Sequence, residues 1–213
     1  YGLAITTDNI YDNSYALIIG IDKYQNIQAL NYAVKDAESI RELLVKHFDF
    51  PGENISIVKN EDATKQNILE EFSKITRVAE NNDRVLIFFA GHGNTMDLPG
   101  GGEMGFLLPV DGNSDDLYLS SIGMSELKNL SLMSNAKHVL YLIDACYGGL
   151  AAVGSRGLDA NVTKNYIEKI TKNKSRQIIT AGGRGERVIE RSEWGHSAFT
   201  LNLNRGLKNG TAD

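Results

Sequence analysis

The sequence has a single cysteine, only three prolines and no excess of positive charge. One cysteine cannot form an internal disulfide, which favours a reducing compartment, so we expect a cytoplasmic protein. A net charge of −5 and a sequence pI near 5.4 argue against nucleic acid as a partner. No apolar stretch approaches the roughly 18 residues of a membrane span, so no membrane partner is expected.

Two apolar runs each end in small residues next to a reactive side chain. Residues 85–90 precede His92, which stands in a Gly-His-Gly tripeptide, and residues 139–143 precede Cys146. Both runs have the length and composition of buried strands. Ligands bind at the carboxyl ends of parallel strands, so we expect His92 and Cys146 to meet over one crevice. A thiol beside an imidazole is the minimum for nucleophilic catalysis, although either residue alone is more often part of a core.

The pattern along the chain predicts one domain in which strands and helices alternate. Residues 1–14 show no sustained period and are expected to form an N-terminal arm, whereas 15–213 form the domain, expected to be truncated at its C-terminus. This alternation implies an α/β fold, with a mainly parallel sheet of five or six strands between two layers of helices. The predicted strands are 15–21, 54–59, 85–90, 103–110, 118–120, 139–143 and 176–180, and the predicted helices are 29–48, about 65–80, 125–130, 162–170 and 197–207.

The residues around His92 and Cys146 resemble two motifs of the caspases. The pentapeptide Asp-Ala-Cys-Tyr-Gly around Cys146 is similar to the caspase nucleophile signature, and His92 lies 54 residues upstream (146 − 92), near the family spacing of about 50. The helix start that contains Asp36 is similar to that of metacaspases. The chain is therefore identified as a caspase-like cysteine peptidase of family C14, clan CD, of the bacterial metacaspase or orthocaspase type. This resemblance implies a caspase-like three-layer sandwich.

The resemblance also implies a binding pocket for the substrate residue before the cleaved bond, P1. Caspases have glutamine at the position of Asp144, whereas metacaspases have the aspartate. A carboxylate at the pocket floor attracts Arg or Lys and repels acidic side chains, and Asp36 matches a second acidic pocket residue. Ala33 departs from the cysteine common at that position. The alternatives are a strand-end cap for Asp144 and a first-turn helix acid for Asp36.

The predicted reaction is cleavage of a protein or peptide after Arg or Lys through a thioester. Cys146 attacks the carbonyl carbon, and His92 supplies a proton to the departing amine, so that a His/Cys dyad suffices. The backbone N–H groups of Gly93 and Cys146 are expected to hold the oxyanion.

Relatives of this type are often zymogens that are activated by self-cleavage or by a regulatory partner. Two basic residues after the nucleophile, Arg156 and Lys164, are candidate cleavage sites, and Arg184, Arg187 and Arg191 are others. For each of these residues, a solvated loop that never enters an active site is the alternative.

No cofactor is expected to be required, and no metal site is predicted. Calcium activates several metacaspases, and Asp111, Asp115 and Asp116 supply oxygen ligands close together, but a charged turn is the favoured interpretation. The resemblance also favours a monomer.

Two other functions remain open at this point. The first is a catalytically silent caspase-fold interaction module, and the second is a cysteine hydrolase of small esters or amides. A peptide panel with Arg, Lys or Asp at P1 distinguishes the second of these from a protease.

Overall fold

The computed structural model describes residues 10–145, 173–182 and 188–209. Within these residues, five parallel strands form the central sheet in the spatial order β2-β1-β3-β7-β8. The predicted three-layer α/β sandwich is confirmed. The central strands are β1 (Ser14–Gly20), β2 (Ile55–Lys59), β3 (Arg84–Ala90), β7 (His138–Asp144) and β8 (Ser175–Thr180).

Helices cover both faces of the sheet because its inner strands are apolar on both sides. The first face packs against α2 and α4, and its core includes Leu17 and Phe89. The second face packs against α1 and α5, and its core includes Ile18 and Phe88. The helices are α1 (Ala33–His47), α2 (Lys65–Val78), α3 (Leu117–Ser120), α4 (Met124–Met133) and α5 (Ala198–Asn209), with short 3-10 turns at Gly52–Asn54 and Asn60–Asp62.

The register of β3 and β7 brings their carboxyl ends side by side. Ala90, the last residue of β3, lies opposite Asp144, the last residue of β7. The backbone N–H of Gly91 donates a hydrogen bond to the carbonyl of Asp144 at 3.2 Å. The two apolar runs that the sequence marks therefore end at the same edge of the sheet.

A small antiparallel sheet follows β3, and here the sequence prediction was partly wrong. Strand β4 (Gly93–Asp97) was not predicted; it pairs with β5 (Glu103–Leu107), which in turn pairs with β6 (Ile122–Gly123). Residues 118–120, predicted as a strand, lie in α3. Asp116 caps this helix by accepting a hydrogen bond from the N–H of Leu119 at 3.3 Å, a local contact that outweighs the β-propensity of the segment.

Helix α1 begins at Ala33, four residues after its predicted start. The preceding residues form a loop, because Asp22 accepts hydrogen bonds from the N–H groups of Leu30 and Val34. This loop, 21–32, is called the 21–32 loop below. Helix α2 begins where predicted, with the Thr64 hydroxyl accepting from the N–H of Asn67.

A last pair of strands, β9 (Glu190–Arg191) and β10 (His196–Ser197), leads into α5. The predicted helix 162–170 and most of the predicted arm 1–14 lie outside the described residues. None of the helices in the described part has the length and apolar character needed to cross a bilayer.

Candidate active site

His92 lies two residues beyond the end of β3, and the 21–32 loop holds it. Its backbone N–H donates to the hydroxyl of Tyr24 at 2.7 Å, and the two rings pack with centroids 4.9 Å apart. The imidazole Nε2 lies 2.8 Å from the backbone carbonyl oxygen of Gln28. Because a carbonyl only accepts, this contact assigns the hydrogen to Nε2 and leaves Nδ1 as the basic nitrogen.

The carbonyl of Gln28 is a third member of the arrangement that the sequence prediction left out. The predicted dyad contained only His92 and Cys146. A backbone carbonyl has no side-chain signature, so no motif could have identified it. Its effect is to fix the tautomer and the orientation of the histidine ring.

Gly91 allows His92 and Tyr24 to approach each other. A Cβ atom at Gly91 would lie 2.5 Å from the Tyr24 hydroxyl and 3.0 Å from the ring of Phe89. The side chains of Tyr24 and Phe89 cannot move aside, because Phe89 is buried and Tyr24 packs against His92. The glycine before the histidine is therefore a packing requirement of the site.

Asp144 is buried at the end of β7, with 3% of its surface exposed. Its Oδ2 accepts hydrogen bonds from the hydroxyls of Ser197 and Thr200, each at 2.5 Å. Its Oδ1 is buried and has no partner among the described residues. Burial raises the pKa of Asp144, and the charge of Glu190 adds to that increase.

Asp36 is equally buried, in the first turn of α1. Its Oδ1 lies 2.5 Å from Nδ1 of His196, and its Oδ2 accepts from the N–H of Ser197 at 3.1 Å. Burial raises the pKa of Asp36 to about 8, with further increases from the charges of Asp144 and Glu190. Burial also lowers the pKa of His196. These shifts favour the uncharged form of the pair, in which the carboxyl proton lies between Asp36 and Nδ1 of His196.

The side chains of His92, Asp36 and Asp144 line one small pocket of about 60 Å³. The structure brings together three residues that the sequence predicted for the site: His92, Asp36 and Asp144. The remaining lining residues are Leu30, Ala33, Ala90, Gly91, Val188, Glu190 and Ser197. We call this cavity the acidic pocket. An open depression of about 690 Å³ on the outer side of α2 contains none of the predicted catalytic or P1 residues.

Four polar residues in or beside the acidic pocket were not predicted as functional. Glu190 and Ser197 line it, and His196 and Thr200 form hydrogen bonds with its two aspartates. The spacing of Ser197 and Thr200, three residues apart at a helix start, is a capping signal that could have been noticed. That their hydroxyls meet Asp144, 53 and 56 positions away in the chain, is decided only by the tertiary fold.

Other predicted site residues lie elsewhere or are not described. Cys146, Arg156, Lys164, Arg184 and Arg187 lie outside the described residues, so their roles stay predictions. Gly93 begins β4 and lies opposite Leu107, next to His92. Arg191 lies in β9 with its guanidinium over the ring of Trp194, at 4.9 Å from the centroid.

The acidic residues considered for calcium make local structural contacts. Asp111 accepts a hydrogen bond from the N–H of Lys65 at 3.0 Å, which satisfies the start of α2. Asp116 caps α3. Asp115 donates its N–H to the side chain of Asn113 at 2.9 Å. Over the residues that the structure describes, no group of three or more His, Cys, Asp or Glu side chains is arranged to hold a metal ion.

The fold and the pocket define a class of α/β proteins with a histidine at the end of one strand and a buried carboxylate at the end of its neighbour. The sequence model of the caspase domain, peptidase C14, matches residues 13–212. The chain therefore belongs to the caspase family of cysteine peptidases.

Among curated proteins, the chain is 29% identical to Metacaspase-1 of Eremothecium gossypii over 151 residues, covering 65% of this chain and 32% of that protein. It is 26% identical to Metacaspase-2 of Arabidopsis thaliana over 153 residues, covering 66% and 35%. The match thus spans about a third of each relative's length.

Among solved structures, the crystal structure of protein GSU0716 from Geobacter sulfurreducens matches with a TM-score of 0.68 and 16% identity. The match covers 94% of this chain and 84% of that one. At this identity the similarity supports the fold alone.

Proposed function

We propose that this protein is a cysteine endopeptidase that cleaves after Arg or Lys through a thioester intermediate. The observation that carries the proposal is the buried Oδ1 of Asp144, which has no hydrogen-bond partner among the described residues and lies in the acidic pocket beside His92. A buried carboxylate oxygen without a donor is costly, and a cationic side chain from a substrate would supply the missing hydrogen bonds.

The proposed chemistry begins with proton transfer from the Cys146 thiol to Nδ1 of His92. The thiolate attacks the carbonyl carbon, and the backbone N–H groups of Gly93 and Cys146 stabilise the oxyanion. The amine departs with the proton from Nδ1, which leaves a thioester. Water then hydrolyses the thioester and regenerates the thiol. The bond from Nε2 to the carbonyl of Gln28 supports this role for Nδ1, because it keeps the other ring nitrogen engaged.

The electrostatics of the acidic pocket support selection of a basic P1 residue. Burial raises the pKa of Asp36 to about 8 and also raises the pKa of Asp144, because a buried anion is penalised when no cation lies beside it. A P1 cation that paired with these groups would favour their ionised forms. An acidic P1 residue would add a further negative charge to the same cavity and would be rejected.

Activation by self-cleavage is part of the same proposal. A pocket that accepts Arg or Lys would also accept Arg156 or Lys164 of its own chain, and a regulatory partner could trigger that cleavage.

We propose that the protein acts as a monomer. We also propose that no calcium is required, which is supported by the local contacts of Asp111 and Asp116 with backbone N–H groups.

The test is cleavage of fluorogenic peptides that differ only in P1, which is Arg, Lys or Asp. Wild type and Cys146→Ala are compared, each with calcium and with a chelator. We expect turnover of the Arg and Lys peptides, no turnover of the Asp peptide, and loss of all turnover in Cys146→Ala. Equal rates with calcium and chelator are expected.

Three results would contradict the proposal. Cleavage of the Asp peptide would exclude the acidic pocket as the P1 site. Hydrolysis of small esters without peptide cleavage would indicate a small-molecule hydrolase. No turnover, together with no labelling of Cys146 by a peptidyl electrophile carrying arginine, would indicate a silent interaction module.

A further inference from the structure

The 21–32 loop carries two groups that hold His92. The hydroxyl of Tyr24 accepts a hydrogen bond from the backbone N–H of His92, and the carbonyl of Gln28 accepts one from Nε2 of its ring. Neither Tyr24 nor Gln28 belongs to a helix or a strand, so these contacts orient the histidine only if the loop itself is fixed. Whatever fixes the loop therefore also sets the geometry of His92.

The side chain of Asn60 binds the start of this loop. Asn60 follows the carboxyl end of β2, and β1 lies between β2 and β3 in the sheet. Its Oδ1 accepts hydrogen bonds from the backbone N–H groups of Asp22 and Lys23, at 2.9 and 3.1 Å. The carbonyl of Asp22 in turn accepts from the N–H of Leu30 at 2.8 Å, which closes the loop on itself. One side chain thus holds the base of the loop.

The turn that contains Asn60 also holds the middle of the loop by a second route. The carbonyl of Ala63 accepts from the N–H of Val110 at 2.8 Å, and the carbonyl of Val110 accepts from the N–H of Gln25 at 3.0 Å. Ala63 and Val110 are both buried. The turn over residues 60–63 therefore supports the loop directly at its start and, through Val110, next to Tyr24.

The backbone of Asn60 restricts which residues suit this position. Its φ is 43°, in the left-handed region that asparagine, aspartate and glycine adopt more readily than other residues. The carbonyl of Asn60 accepts from the N–H of Ala63 at 2.8 Å, which closes the turn. Glycine would keep this conformation without a side-chain acceptor, whereas aspartate would keep both the conformation and the acceptor.

We propose that Asn60 is a positioning residue for His92, an inference that rests on the proposed function. Its side chain fixes the start of the 21–32 loop, and the loop then presents Tyr24 and Gln28 to the backbone and the ring of His92. Loss of the acceptor at Asn60 frees the start of the loop and loosens both contacts. A histidine that is less well oriented transfers its proton to the departing amine more slowly.

The first experiment compares the peptide kinetics of wild type, Asn60→Gly and Asn60→Asp. For an Arg peptide, we expect kcat to fall about tenfold in Asn60→Gly, because His92 is less well oriented. KM should change little, since Asp36 and Asp144 lie outside the loop. Asn60→Asp should restore kcat.

Asn67→Ala is the matched control for the loss of a hydrogen bond in this turn. Nδ2 of Asn67 donates to the carbonyl of Asp62 at 2.7 Å, a bond that does not involve the 21–32 loop. We expect this variant to leave kcat and KM unchanged.

A second measurement reports on His92 directly and requires no turnover. In Cys146→Ala protein, NMR follows the exchange with water of the Nε2 proton and the backbone amide proton of His92, which Gln28 and Tyr24 protect. We expect both protons to exchange about tenfold faster when Asn60→Gly is added, because the loop opens locally. Asn60→Asp should restore the protection, and the amides of β1 should keep their rates throughout.

The two measurements separate this inference from the proposed function. Faster exchange at His92 in Asn60→Gly without any peptide cleavage by wild type would support the inference and contradict the protease proposal. Unchanged exchange at His92 in Asn60→Gly would overturn the inference and leave the protease proposal standing. Equally faster exchange in Asn67→Ala, or in the amides of β1, would also overturn it, because the effect would then be general destabilisation.

Discussion

At the scale of single residues, contacts from the 21–32 loop fix both the backbone and the ring of His92. The hydroxyl of Tyr24 accepts from its backbone, and the carbonyl of Gln28 engages Nε2 of its ring. Burial raises the pKa of Tyr24, so its hydroxyl stays neutral. Both contacts come from the 21–32 loop, and together they pre-set the ring before any substrate binds.

The Asp36–His196 pair is the second feature at this scale. An aspartate this buried would be costly as an anion, and its contact with His196 keeps one proton between the two groups. The acids Asp144 and Glu190 face Asp36 within the pocket, and the charge of Lys35 acts on His196.

This pair predicts how stability depends on pH. The folded-state pKa of Asp36, about 8, lies above its ordinary value of 3.8. The folded protein therefore holds a proton that the unfolded chain has lost, and stability from this group falls as pH rises from about 4 to about 8. We expect the free energy of unfolding in urea to fall between pH 6.5 and 8.5 in wild type, and to fall less in Asp36→Asn.

His196 is expected to contribute little to the change in stability between pH 6.5 and 8.5. Burial lowers the pKa of His196, which moves its titration toward acid pH and away from this range. Equal losses of stability in wild type and Asp36→Asn would mean that the pKa of Asp36 is not raised.

At the scale of elements, the hairpin of β9 and β10 forms one wall of the acidic pocket and leads directly into α5. Gly195 turns the chain between the two strands with a φ of 61°, which a residue with a side chain rarely adopts. The Ser197 hydroxyl accepts from the N–H of Thr200 at 2.9 Å and so caps α5, while donating to Asp144. One hydroxyl therefore links the helix start to the pocket floor.

This double role predicts a specific effect of Ser197→Ala. Loss of the cap should cost about 1 kcal/mol of stability, and loss of the donor leaves Asp144 with one partner fewer. Because the pocket floor is disturbed, we expect KM for an Arg peptide to rise about tenfold. Urea unfolding and peptide kinetics measure the two effects.

Thr64→Ala is the matched control, since it removes the cap of α2 far from the pocket. It should lower stability by a similar amount and leave KM unchanged. An equal change of KM in both variants would show that the effect of Ser197→Ala is general destabilisation.

At the scale of the whole molecule, the sheet brings distant parts of the chain to one edge. The acidic pocket is built from the first turn of α1, the ends of β3 and β7, and the β9–β10 hairpin. These elements are held by two apolar cores on opposite faces of the sheet. A substitution in β3, the central strand that both cores share, should therefore destabilise the whole fold cooperatively.

Phe88 provides the test of this cooperativity, because it lies in β3 with no exposed surface. We expect Phe88→Ala to lower the free energy of unfolding by about 3–5 kcal/mol, since it creates a cavity in the core. Val78→Ala, at a position 53% exposed, should change it little. Urea unfolding followed by circular dichroism measures both. Similar small losses in the two variants would contradict the described core.

Much of the architecture was predictable from local patterns. The apolar runs 85–90 and 139–143 are buried strands because every residue in them suits a sheet covered on both faces. The helix predicted at about 65–80 agrees with α2, because the cap of α2, Thr64, depends only on a neighbour three residues away. The family was recognised from residues around His92 and Cys146, and the match over 13–212 confirms it. The bacterial type and the roles of Cys146 and Gly93 stay predictions.

The sequence by itself determined the buried strands, the α/β class and the placement of His92 and Asp144 at strand ends. These features depend on periodicity and composition, which act over a few neighbouring residues. Only the tertiary structure decided that Gln28 orients His92, that Ser197 joins Asp36 to Asp144, and that Glu190 enters the same pocket. Those contacts join residues 53 to 161 positions apart in the chain, or use a backbone carbonyl, so they arise only when the sheet has placed its ends together.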